Sequence, residues 1–280
     1  MSNQYAISSN EKSVEIWSNQ LLPFEPKGWL KEFRGEIQNK IKLLKPTSDK
    51  FLYSKFISSK TDKVDLDNIL FYNVAYSAFS NLSLDSTVME RSYLQPKIAP
   101  DGNNYNYYHY YSTEKPEFEH KRKKTLGTFS SIPLSNFSSE TKVDKIWYSI
   151  KKGKTIHYEK NYTQQFGIDI SITSSNLKLV SEAGMKRIID ASIGSFQAHT
   201  GDDPEMFRRL AQNLSINQNE AKQLLCDESH AILGKGSLLA SYRNGIKWNP
   251  NDDLAVFISL TLKHGQEPNL SVSGEIFSVI

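Results

Sequence analysis

Apolar residues recur along this chain at two different spacings. From Trp29 to Ile41 the positions Trp29, Leu30, Phe33, Ile37 and Ile41 fall at helical steps with charges between them, which predicts a helix with one buried face. It opens after Pro26-Lys27-Gly28 and closes before Lys45-Pro46-Thr47-Ser48-Asp49. From Gln165 to Thr173 apolar and polar residues alternate through Phe166, Ile168, Ile170 and Ile172, the pattern of a half-buried strand. Phe51 to Ile57 reads as a second strand by its aromatic and branched content. Asp65-Leu66-Asp67-Asn68 opens a second helix with Leu70, Phe71, Val74 and Ala78 on its face. A short helix at Lys145 to Lys151 contains Trp147, and a longer one from Glu182 to Ala198 carries Met185, Ile188, Ile189, Ile193 and Phe196. Strands are expected at Ser92 to Ile98 and Tyr105 to Tyr111 around Pro100-Asp101-Gly102-Asn103. A second strand pair is expected at Tyr242 to Trp248 and Leu254 to Leu262. The first dozen residues are polar and expected to be loose.

These elements repeat in order. Fifty residues separate Trp29 from Phe79, and forty-nine separate Trp147 from Phe196. The expected fold class is α+β, internally duplicated, with two similar halves each holding a small sheet packed against helices. Residues 1–115 form the first repeat, 116–140 a charged, serine-rich linker or long loop, and 141–280 the second repeat. A helical insertion at about 202–235 begins with Asp203 ahead of Pro204 and continues in a helix capped by Asn217.

Composition narrows the classes. Hydrophobic residues make up 38% of the 280, enough for a core. Mean hydropathy is −0.51, and no apolar run reaches the ~18–20 residues of a membrane-spanning helix. The start, Met1-Ser2-Asn3-Gln4-Tyr5, shows neither a basic nor an apolar stretch, so a cytoplasmic protein without membrane contact is expected. Cys226 is the single cysteine, which excludes an intramolecular disulfide and a thiolate-rich zinc site. A net charge of +3 permits nucleic-acid binding without singling it out.

Candidate chemistry gathers at element ends. Asp65, Asp67 and Asn68 lie between a strand and a helix, and Asp252 and Asp253 lie in the last hairpin. Alternate carboxylates of an extended segment point to one side and can share Mg²⁺. Capping and turn formation explain the same residues without metal. Val64-Asp65-Leu66-Asp67-Asn68-Ile69-Leu70 is similar to the Asp-x-Asp-Asn segment of RusA-type Holliday-junction resolvases, and Asn251-Asp252-Asp253-Leu254-Ala255-Val256 resembles that family's Asp-Asp-x-x-Val segment. The resemblance implies a magnesium-dependent, structure-specific DNA endonuclease, with Asp65, Asp67, Asp252 and Asp253 as metal ligands and catalytic residues. The chain departs from the family in setting the motifs about 185 residues apart and in carrying Pro100-Asp101-Gly102-Asn103 and Ser181-Glu182-Ala183-Gly184 where the partner motifs should stand. Such a chain could bind without cutting.

Two further features fit DNA or RNA. Lys121, Arg122, Lys123 and Lys124 form a cationic run that could neutralise phosphates. Tyr108 and Tyr110, within the ring-rich Tyr105 to Tyr111, could stack on unpaired bases. His199 with Asp202 and Asp203, and Cys226 with His230, read more simply as a helix end and a buried thiol. The expected function is therefore a nucleic-acid-associated protein, a nuclease or its degenerate relative. The alternative is a non-catalytic interaction subunit of a bacterial defence or nucleic-acid-processing complex, bound to other subunits.

Overall fold

The computed structural model describes residues 4–58, 60, 64–135, 137–138, 140–176 and 182–280, leaving aside the side chains of 182 and 183. Most of the Ser181-Glu182-Ala183-Gly184 segment thus lies outside the described side chains. The chain forms two units, each with helices and sheet. The first is Met1–Lys121 with Ala255–Leu262, and the second is Arg122–Leu254 with Lys263–Ile280. No helix among the described residues is long and apolar enough to cross a membrane.

In the first unit β1 (Tyr5–Ser9) and β2 (Ser13–Ser18) make an antiparallel hairpin where the sequence suggested a loose start. Asn10 explains the difference: its Oδ1 accepts the N–H groups of Lys12 and Ser13 at 2.8 and 2.9 Å and fixes the turn. α1 (Trp29–Ile41) follows Gly28, whose φ of +56° suits a residue without Cβ, and buries Phe33, Ile37 and Ile41. β3 (Phe51–Ser58) runs parallel to β4 (Ser86–Ser92) and antiparallel to β5 (Tyr107–Ser112). The strand β13 (Ala255–His264) pairs antiparallel with β4, giving the order β1-β2-β5-β3-β4-β13.

The helix expected after Asp67 does not form. Asn68–Tyr72 is one π-type turn, and Tyr76–Ala78 and Ser80–Leu82 are single 3₁₀ turns. Ala75 has φ of +81°, outside helical backbone, so hydrogen bonding cannot continue past it. The Val74 carbonyl is taken instead by Gln38 Nε2 at 2.7 Å and Arg34 Nε at 3.3 Å from α1. Ser92 to Ile98 is likewise irregular beyond Ser92, and Pro96 offers no N–H to a ladder.

The second unit corrects the expected linker. Residues 122–134 are the thirteen-residue strand β6 (Arg122–Leu134), whose interrupted alternation hides it in the sequence. Its partners are β7 (Thr155–His157) and β14 (Leu270–Val279), and β14 also pairs with β8 (Phe166–Ser174), all antiparallel. Before the boundary, residues 115–121 are also held in place. His120 donates its N–H to Glu90 at 3.0 Å, and Lys55 contacts Glu119 at 2.5 Å. Helices α2 (Val143–Lys152) and α3 (Glu182–Ser195) pack together, and α4 (Pro204–Leu214) packs with α5 (Gln218–Leu225), the two helices expected in the insertion. Between them β9 (Ala198–His199) pairs parallel with β10 (Lys235–Gly236). β11 (Leu239–Tyr242) and β12 (Gly245–Trp248) form a separate hairpin. The strand expected at Tyr242 to Trp248 therefore folds on its own neighbour, not on the strand after it.

Candidate functional site

The four aspartates lie at two short turns. Asp65 accepts from the Asn68 side chain, and its carbonyl takes the Ile69 N–H at 3.1 Å. Asp67 does not project from an extended segment: its φ of −68° and ψ of −34° are helical, and it is 1% exposed. Asp252 heads the 3₁₀ turn Asp252–Leu254 and is 6% exposed, with Asp253 half-buried beside it. Among the described residues no group of three or more His, Cys, Asp or Glu side chains is arranged to hold a metal ion.

The cationic run is exposed but mostly paired. Lys121 lies 3.4 Å from Glu117, and Lys124 lies 2.6 Å from Glu159. Arg122 bridges Asp169 and Glu275 and sets its guanidinium 4.4 Å from the Phe277 ring centre. Lys123 is exposed. Tyr108 is buried and donates its hydroxyl to Glu15 at 2.5 Å; burial first, then that carboxylate, raises its pKa. Tyr110 is half-buried and stacks on Tyr108 at 6.5 Å and 9°, with the Lys97 ammonium within 6.0 Å of both rings.

The histidine and cysteine motifs resolve into structural roles. Asp203 Oδ1 accepts the N–H groups of Glu205 and Met206 as the cap of α4, while its Oδ2 accepts from Ser241 at 2.8 Å. Those bonds, Ser241 foremost, hold the carboxyl below its ordinary range. His199 Nδ1 accepts the Leu239 N–H at 3.3 Å, and burial lowers its basicity. Burial likewise pushes the Cys226 thiol up, opposite to what a nucleophile needs.

A cluster that sequence spacing misses lies in the second unit. His157 on β7 stacks on His230 with ring centres 4.4 Å apart and planes 22° from parallel. His230 Nδ1 is 3.9 Å from Asp227 Oδ2, and His157 Nε2 is 3.1 Å from Thr155 Oγ1. Lys151 at the end of α2 is 5% exposed and donates to the Gln197 carbonyl at 3.5 Å. Burial lowers its pKa to about 8 against the pull of Asp227. His157 falls to about 4, chiefly by burial and then by His230 and Lys151, and His230 is lowered by burial and Lys151. Near neutral pH His157 is therefore neutral, and each proton added to the cluster opposes the next. One sequence signal pointed here: Lys151 follows Trp147 by one helical turn, a charge in step with the core face.

No protein-family model matches the chain, and no curated protein matches it.

Proposed function

We propose that this chain is a non-catalytic interaction subunit that presents Tyr93, Leu94 and Ile98 to a protein partner. The observation that carries the reading is their exposure, 46%, 61% and 69%, on a segment whose inner residues are pinned. Trp17 Nε1 donates to the Lys97 carbonyl at 2.9 Å, and Ala99 and Tyr105 pack with Trp17, Ile57 and Tyr108. A segment already ordered loses little freedom on binding, and exposed apolar side chains gathered in one stretch favour a protein surface. A nucleic-acid partner would draw on free cations, whereas Lys121, Arg122 and Lys124 face carboxylates of the chain itself. The burial of Asp67 and Asp252 argues against the magnesium-dependent nuclease. An internal duplication, which would supply two equivalent faces, gains no support from the sheets: β3 has a parallel neighbour in β4, whereas β8 pairs antiparallel with β14.

A photo-crosslinking residue at position 94 of the full chain, used in the cells that make it, tests this reading. The expected result is one discrete adduct, whose purified partner binds the Leu94→Asp/Ile98→Asp variant about thirtyfold more weakly, the loss of one hot spot of roughly 2 kcal/mol. Crosslinking no stronger than from the exposed position 222 overturns it. So does magnesium-dependent cleavage of branched or single-stranded DNA that is lost in Asp67→Asn.

A further inference from the structure

β7 is only three residues long and is held to β6 through the pairs Gly127↔His157, Thr128↔Ile156 and Phe129↔Thr155. The chain after it is tied to the segment beyond His230: Tyr162 donates its N–H to the Ile232 carbonyl at 2.6 Å, and Asn161 to that of Ala231 at 3.4 Å. The His157–His230 stack joins the same two stretches through their side chains. Gly127 shows how closely they fit, because a Cβ there would come within 2.1 Å of Ile232 Cδ1. Neutral imidazoles tolerate this stacking. Two imidazolium ions at this distance repel each other.

The charged groups facing the pair are unbalanced. Lys151 comes from α2, Lys160 from the chain after β7, and Asp227 from the start of the 228–230 turn. Glu228 is engaged with Lys235 at 2.7 Å, and Glu159 with Lys124. Protonating one ring places a cation against Lys151 and Lys160 with Asp227 as the facing carboxylate; protonating both adds direct repulsion across 4.4 Å. Neither ring's Nδ1 makes a hydrogen bond, and the carboxylate nearest His230 Nδ1, Asp227 Oδ2, stands 3.9 Å away.

We propose that the His157–His230 stack is an acid-operated latch, whose protonation drives β7 and the 228–230 turn apart and uncovers the edge of β6. An uncovered strand edge is a template for pairing with another extended segment, so opening changes what this unit can bind. The direction follows from linkage. The closed form binds protons more weakly than an open, solvated imidazole does, so closure is complete above about pH 6.5. It weakens as the pH falls through the range down to about 4, the value to which His157 is lowered.

Hydrogen–deuterium exchange of the full chain at pH 7 and pH 5, corrected for intrinsic exchange, tests the latch. Protection of the amides at 126–129, 155–162 and 230–233 is expected to drop at least tenfold at pH 5, while His157→Phe, which keeps a stacked ring but cannot be protonated, stays protected. Should His157→Phe not fold at pH 7, His230→Phe supplies the same comparison. Equal protection of the wild-type segment at both pH values, or equal opening in wild type and variant, overturns the proposal.

Discussion

Each unit holds histidine away from its charged form, but in different settings. In the first unit His109 lies in the middle strand β5, is 1% exposed, and meets Phe56 edge-on at 5.2 Å with neither ring nitrogen hydrogen-bonded. In the second, His157 and His230 are half-buried near the end of the sheet, at a three-residue strand. Burial alone lowers His109 to about 4, whereas His157 reaches a similar value through burial together with His230 and Lys151. A proton on His109 has no local exit, because Ile16 and Phe56 flank it in register on β2 and β3. A proton on His157 can be accommodated by moving a short edge strand. The same depressed basicity thus acts on a whole core in one place and on a local joint in the other.

The largest effect is expected at His109. Its unfolded form binds protons below about pH 6.5 and its folded form only near 4, so the first unit loses about 3 kcal/mol as the pH falls through that window. Urea unfolding of the wild type and His109→Leu at pH 7 and pH 4, followed by exchange of β3 amides, checks this. A variant with an unchanged pH slope would break the comparison. Next, Lys151→Met in the second unit removes a buried amine of similar length. Stability at pH 7 is expected to hold or rise by about 1 kcal/mol, and the His157 midpoint, read by NMR, to move up from about 4.

Helix starts give smaller contrasts. α4 is capped by Asp203, so Asp203→Ala should cost about 1 kcal/mol in thermal unfolding. α1 has no side-chain cap and begins at Gly28 with positive φ, so Gly28→Ala should cost a similar amount through backbone strain. Changing Lys121, Lys123 and Lys124 to Ala should alter stability by less than about 0.5 kcal/mol and leave the salt dependence of any DNA binding unchanged. A flatter salt slope would restore the nucleic-acid reading of that run.

The sequence revealed elements whose pattern is complete within themselves. β3, β8, α1, α2, α4 and α5 follow from local apolar spacing and caps, and the structure has them within a few residues. Elements defined by distant partners were not legible. β6 and β14 carry glycines where neighbours press close, Phe129 within 2.5 Å of a Cβ at Gly274, and those glycines interrupt the strand pattern. The helix expected to open at Asp65-Leu66-Asp67-Asn68 had helical spacing at Leu70, Val74 and Ala78, but Ala75 turns the chain and α1 satisfies the carbonyl left behind. Asp203 was conspicuous because it caps α4, and Asp65 because it lies at a turn, where it accepts from the Asn68 side chain. The histidine cluster left little trace: about seventy residues separate its two rings, and only folding joins them.

The proposed function rests on a further contrast, between groups that serve the fold and groups that serve recognition. If the four aspartates are structural, magnesium has nothing to stabilise. Thermal unfolding of the wild type with Mg²⁺ or Mn²⁺, against NaCl of equal ionic strength, tests this most directly. The account predicts equal melting temperatures in all three, while a metal-specific rise of several degrees that vanishes in Asp67→Asn would contradict it.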